Sequence, residues 1–277
     1  MRLDLEAEYD NRRRVPEHPA IIEGWARDAA AFRDGARCEL DIAYGPGERT
    51  RLDLFLPEGE ASGAPLAVFI HGGYWRAFDR TLFSHVARGL VRHGVAVAIP
   101  SYDLCPNVRL AEIVAEAREA VAFLFRRLQR RPFVFGHSAG GHLAACMLAT
   151  DWPAFSADLP KDMVPAALGI SGLYDLEPLV ETSVNAELRL SGPQARALSP
   201  LLWPAPAGTI FDAFVGSRES AEYLRQSRAL ADAWANERVE TAYREIVGAN
   251  HFTALAPFAD PDSPEVARML ELARARG

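Results

Sequence analysis

Hydrophobic positions along the chain fall into two alternating kinds of run. Short unbroken apolar runs occur at Leu66 to Ile70, Val95 to Ile99, Phe133 to Phe135, Ala166 to Ser171 and, interrupted only by Asp212, Thr209 to Val215. Runs of this length predict strands buried on both faces. Between them lie longer stretches with apolar residues three and four apart. The clearest is Val108 to Arg130, where Leu110, Ile113, Val114, Ala117, Val121, Leu124, Phe125 and Leu128 form one stripe, as in an amphipathic helix. Thr81 to His93 (closed by Gly94), Leu143 to Leu148, Ser220 to Ala235 and Ser263 to Ala275 predict further helices, and Glu240 to Ile246 a further strand.

Nearer the start, Cys38 to Ala43 and Thr50 to Leu56 flank Tyr44-Gly45-Pro46-Gly47, which predicts an antiparallel hairpin. In residues 1–35, Ile21, Ile22, Trp25, Ala29 and Phe32 keep helical spacing while Pro16 and Pro19 break it, so an extended lead-in followed by a helix is predicted. Residues 177–207 lose all periodicity and carry Pro178, Pro193, Pro200, Pro204 and Pro206. They predict an irregular insertion that shapes a pocket. Strands alternating with helices predict an α/β fold, a mostly parallel central sheet of about eight strands with helices on both faces. With no linker, one domain over 1–277 is expected.

Composition narrows the function without altering the fold. The chain of 277 residues has a formal net charge of −7, with 49% hydrophobic and 24% charged residues, which argues against a nucleic-acid or membrane partner and for a small-molecule substrate. Cys38, Cys105 and Cys146 show no ligand or disulfide spacing. Met1 to Asp10 is charged throughout, and no run of about 18 apolar residues occurs, so a cytoplasmic protein is expected. The oligomeric state is not set by the sequence, and a homodimer stays open.

The chemistry centres on Gly136-His137-Ser138-Ala139-Gly140, between a predicted strand and a predicted helix. A Gly-x-Ser-x-Gly turn in that context lifts its serine above the sheet edge. Serine needs a base to take its proton and a third group to orient the base. Only His142 and His251 follow Ser138. His142 is held in the same helix, whereas His251 follows the last strand in a loop, where a base belongs. The orienting acid should lie between them at a strand end; Glu219 fits best, with Asp175 and then Asp212 as competitors. His71-Gly72-Gly73, after another strand, predicts amide donors at Gly72, Gly73 and Ala139 for an oxyanion. His71 itself is read as holding that loop. Tyr74, Trp75, Phe78, Tyr102 and Trp203 are expected to border the pocket, with Tyr74, Trp75 and Trp203 as the substrate-binding set.

His71-Gly-Gly-Tyr-Trp, the serine turn, Ser171-Gly-Leu-Tyr-Asp-Leu, Glu219-Ser-Ala-Glu-Tyr-Leu-Arg-Gln-Ser and Asn250-His-Phe together resemble the α/β-hydrolases of the hormone-sensitive-lipase-like group, and within it the arylformamidase (kynurenine formamidase) branch. Leu3-Asp-Leu-Glu-Ala-Glu-Tyr, Val15-Pro-Glu-His-Pro-Ala and Ser101-Tyr-Asp-Leu-Cys-Pro extend the resemblance over nearly the whole chain. It implies an α/β-hydrolase fold, a triad acid at Glu219 where many relatives carry aspartate, and hydrolysis of N-formyl-L-kynurenine without metal or cofactor. A carboxylesterase with the same residues is the main alternative. A non-catalytic binder on this scaffold and a membrane-associated lipase are weaker ones.

Overall fold

Each unbroken apolar run becomes a strand of a single sheet. The computed structural model describes residues 3–59, 63–235 and 238–275; the ends of the expected domain, 1–2 and 276–277, fall outside them. The strands are β1 (Cys38–Ala43), β2 (Arg51–Phe55), β3 (Leu66–Ile70), β4 (Ala96–Pro100), β5 (Phe133–His137), β6 (Ala166–Ile170), β7 (Ile210–Gly216) and β8 (Glu240–Ile246). They pair in the order β1-β2-β4-β3-β5-β6-β7-β8. The pairs β1/β2 and β2/β4 are antiparallel, and every pair from β3/β4 onward is parallel.

The continuous runs are explained by burial on both faces. In β3, Leu66, Val68 and Ile70 belong to one core, and Ala67 and Phe69 to the other. In β5, Val134 faces the first while Phe133 and Phe135 face the second. Helices Leu110–Leu128, Ala139–Leu148 and Ala221–Ala235 cover the first core, and His18–Gly35 and Pro264–Arg274 the second. Among the described residues, no helix is long and apolar enough to cross a membrane.

Two expectations are corrected. The lead-in is not extended: helices Leu5–Tyr9 and Asn11–Arg14 occupy it, capped by Asp4, which accepts from the Ala7 amide, and Asp10, which accepts from that of Arg13. Pro19 sits in the first turn of His18–Gly35, where a missing N–H costs nothing, so it starts a helix and does not break one. The Thr81 to His93 stretch is a 3₁₀ turn, Arg80–Val86, followed by helix Ala87–Val91. Asp79 caps that turn by accepting from the Thr81 amide at 2.8 Å.

The parallel strands all point the same way, so the loops after β3, β5, β6, β7 and β8 gather at one edge, where open α/β sheets carry their ligands.

Candidate active site

Ser138 stands between β5 and helix Ala139–Leu148 with φ 57° and ψ −120°, a left-handed conformation that a side-chain-bearing residue adopts at a cost. The turn is tight because strand and helix touch. A Cβ on Gly140 would overlap the Ile70 carbonyl oxygen, so glycine is required there. Ser138 N–H donates to Ile170 O at the end of β6, over 2.8 Å.

His251, in the loop after β8, brings Nε2 to 3.1 Å from Ser138 Oγ. Its Nδ1 lies 2.7 Å from Glu219 Oε2. The other carboxylate oxygen of Glu219 accepts from the Gly216 amide at 2.7 Å and from the Ser171 hydroxyl at 2.5 Å. With Oε1 thus engaged, Oε2 takes the Nδ1 proton, and the Nε2 lone pair is left facing Ser138. All three side chains are buried. The competing acids are engaged elsewhere: Asp175 pairs with Arg225 at 3.2 Å and Asp212 with Arg268 at 2.7 Å. His142 turns away, its Nε2 against Leu198 O at 2.8 Å.

Gly72 lies directly over the serine; a Cβ there would sit 3.0 Å from Ser138 Cβ. Gly73, in the loop that follows β3, has φ +110°, open only to glycine. His71 holds this loop. Its ring stacks on Tyr102 at 4.3 Å, its Nδ1–H donates to Gly72 O at 2.8 Å, and Tyr102 donates to His71 O at 2.8 Å. Ala139 opens its helix, so its amide belongs to the first-turn donors that no carbonyl of the helix itself satisfies.

A cavity of about 260 Å³ opens over Ser138, Gly72, Gly73 and His251. Trp25, Tyr74, Phe78, Phe83 and Phe252 make its aromatic wall, and Glu6, Asp10, Arg12 and Arg76 its charged mouth. Of the expected substrate-binding aromatics, only Tyr74 lines it. Trp75 is fully buried, edge-on to His142 at 5.0 Å, because left-handed backbone at Tyr74 (φ 49°) and Trp75 (φ 54°) turns the two side chains apart. Tyr102 is spent on His71. Trp203 packs on its own insertion, donating from Nε1 to Ala197 O at 2.9 Å. That insertion reaches the cavity only through Ser183 and Val184.

His137, inside the serine turn, donates from Nε2 to the His251 carbonyl at 2.8 Å and so fixes that loop. Burial first, and then the neighbouring His251, push His137 down to about 3. It stays neutral beside any imidazolium that forms on His251. Burial likewise lowers His71, His85 and His142 from 6.5 to about 4. The unfolded chain protonates these four rings below about pH 6.5 while the folded protein does not. Stability is therefore fully present above pH 6.5 and falls as the pH drops toward 4, by about 1.4 kcal/mol per pH unit for each ring. Calorimetry should show Tm decreasing steeply from pH 7 to 5, and a flat Tm over that interval would contradict neutral buried rings.

The BD-FAE family model matches residues 52–186, from β2 past the serine turn and β6 into the insertion. Kynurenine formamidase of Drosophila melanogaster is 31% identical over 242 residues, covering 83% of this chain and 79% of its own. That of Danio rerio is 28% identical over 270 residues, covering 93% and 91%. A solved Silicibacter sp. protein, described provisionally as a thioesterase, superposes with a TM-score of 0.87 at 35% identity, over 96% of this chain and 98% of that one. The chain belongs to the α/β-hydrolase esterase family.

This α/β-hydrolase carries site residues that sequence reasoning passed over. Ser171 supports Glu219 from the end of β6; its place in Ser171-Gly-Leu-Tyr-Asp-Leu was the available signal. Tyr223, in the first turn of helix Ala221–Ala235 that follows Glu219, has its ring 4.7 Å from that of His251. Its hydroxyl is tied to Tyr74 at 2.7 Å and to Asn11 at 2.8 Å. Nothing in sequence spacing points from Asn11 to Tyr223. In this hydrolase the opening segment is also anchored by Tyr9, whose hydroxyl donates to Glu222 at 2.7 Å and accepts from Gln226 at 2.7 Å.

Proposed function

We propose that this serine hydrolase cleaves N-formyl arylamines, with N-formyl-L-kynurenine as substrate and L-kynurenine and formate as products. Ser138 attacks the formyl carbon while His251 takes its proton and Glu219 steadies the imidazolium. The amides of Gly72, Gly73 and Ala139 receive the oxyanion; one such donor is typically worth roughly 10²–10³ in rate. His251 then protonates the leaving arylamine nitrogen. A water activated by the same ring attacks the formyl-serine, releasing formate and restoring the hydroxyl.

The observation that carries the substrate is the similarity to kynurenine formamidases of a fly and a fish, which extends over most of both chains. The aromatic wall beside Ser138 suits an aryl leaving group, and a formyl hydrogen needs no acyl pocket. A second reading, a short-chain or aryl ester or thioester hydrolase, is favoured by the similarity to the Silicibacter protein. Side-by-side kcat/KM on N-formyl-L-kynurenine and on a short aryl ester separates the two. The formamidase reading expects the formamide to win; an ester preference of orders of magnitude would overturn it.

A further inference from the structure

Of the charged side chains at the mouth of the cavity, Glu6 and Arg76 are already spent. Glu6 accepts from the Ser183 amide at 2.7 Å and from its hydroxyl at 2.5 Å, and Arg76 pairs with Glu187. Asp10 and Arg12 are not. Asp10 gives one carboxylate oxygen to the Arg13 amide at 3.0 Å, and the second has no partner among the described residues. Arg12, exposed at the rim, makes no hydrogen bond or ion pair among the described residues. Between them in the chain, Asn11 lines the same cavity and is only 5% exposed. The direction of its amide is fixed by a chain of donors. Tyr74 gives its only phenolic proton to the Tyr9 carbonyl oxygen at 2.7 Å, since a carbonyl can only accept. The Tyr74 oxygen then accepts from Tyr223 at 2.7 Å, and the Tyr223 oxygen accepts from Asn11 Nδ2 at 2.8 Å. Asn11 Oδ1 is thereby left as an acceptor with no partner among the described residues.

A free anion, a free amide oxygen and a free cation on three consecutive residues suit a ligand that carries both charges itself. An α-amino acid group is such a ligand: its ammonium has three protons to place, and its carboxylate offers the two oxygens that a guanidinium fork matches. A neutral aryl ester has nothing to give any of the three. In N-formyl-L-kynurenine the chain bearing this group leaves the ring beside the formamide, so with the formyl carbon at buried Ser138 the group extends away from the serine along the cavity. We propose that Asp10, Asn11 and Arg12 form the receptor for the substrate's α-amino acid group, with Asp10 and Asn11 Oδ1 taking the ammonium and the Arg12 guanidinium the carboxylate. Little ordering is left to do on binding, because Tyr9 just before them is bonded to Glu222 and Gln226, and Asn11 itself to Tyr223. This deepens the formamidase reading, on which it rests, and narrows the substrate class to aryl formamides that carry a free α-amino acid.

The test measures kcat/KM of the full chain on N-formyl-L-kynurenine, on its analogues lacking the α-carboxylate or the α-amino group, and on formanilide, which lacks both. One charge-assisted contact at the rim corresponds to roughly tenfold. Arg12→Gln should therefore lower the ratio of kcat/KM on N-formyl-L-kynurenine to that on formanilide about tenfold, through KM, and should lower it far less for the analogue without the carboxylate. Asp10→Asn, which keeps a helix cap while removing the charge, should lower the same ratio in the same way, and far less for the analogue without the amino group. If wild-type protein turns over N-formyl-L-kynurenine and either variant leaves the ratio within twofold of wild type, the receptor is wrong while the formamidase reading stands. If wild-type protein cleaves phenyl formate but neither N-formyl-L-kynurenine nor formanilide, both fall together.

Discussion

Ser138→Ala should lower kcat on any formamide or ester by roughly 10⁶-fold, the loss typical when a hydrolase nucleophile is removed. The expectation follows from how little else in the cavity can attack. Ser138 Oγ sits 3.1 Å from the imidazole at the floor of the site, and Gly72 is close enough that a methyl there would meet the serine. His251→Ala should cost about as much, and the double variant hardly more, because nucleophile and base act as one unit. A fluorophosphonate probe gives an independent reading: wild-type protein should be labelled at Ser138 and Ser138→Ala left bare. Residual turnover in Ser138→Ala within a hundredfold of wild type would sink the mechanism.

Glu219→Gln should lower kcat by roughly 10⁴-fold, and the cause would be the tautomer rather than the lost charge alone. Gly216 N–H and the Ser171 hydroxyl both donate to Oε1. In glutamine they hold the amide oxygen at that position, which turns the NH₂ toward His251 Nδ1. Two donors cannot face each other, so the ring shifts its proton to Nε2 and has no lone pair for the serine. Ser171→Ala in the same background should recover part of the activity by letting the amide flip. Asp175→Asn, whose carboxylate serves Arg225 at the surface, should leave kcat within a few-fold. A large loss in Asp175→Asn with a small one in Glu219→Gln would reassign the acid.

The fold was legible because its signals are local. Two-faced burial writes itself as unbroken apolar runs, and β3 to β7 follow from those runs to within a residue or two. Ser138, Glu219 and His251 stood at predicted strand ends, and the structure brings them within hydrogen-bonding distance. The pocket wall was misread where side-chain direction depends on backbone sign. Trp75 follows Tyr74 in sequence but points into the core, since two successive residues with positive φ are not encoded by any hydrophobic period. The opening segment was misread because prolines were weighed as breakers, while Asp4, Asp10 and the first-turn Pro19 act as helix starts. Tyr223 and its partners were invisible because their contacts are tertiary; periodicity reports a face, never the residue that meets it.

Those contacts also set an order of assembly. Tyr9 reaches Glu222 and Gln226 across 213 and 217 positions of chain, and Asn11 reaches Tyr223 across 212. During synthesis the opening segment must wait, its buried surface uncovered, until residues 222–226 have left the ribosome. His251 arrives later still. A nascent chain thus holds its serine turn long before it holds a base, and the site is complete only once His251 has emerged to meet it.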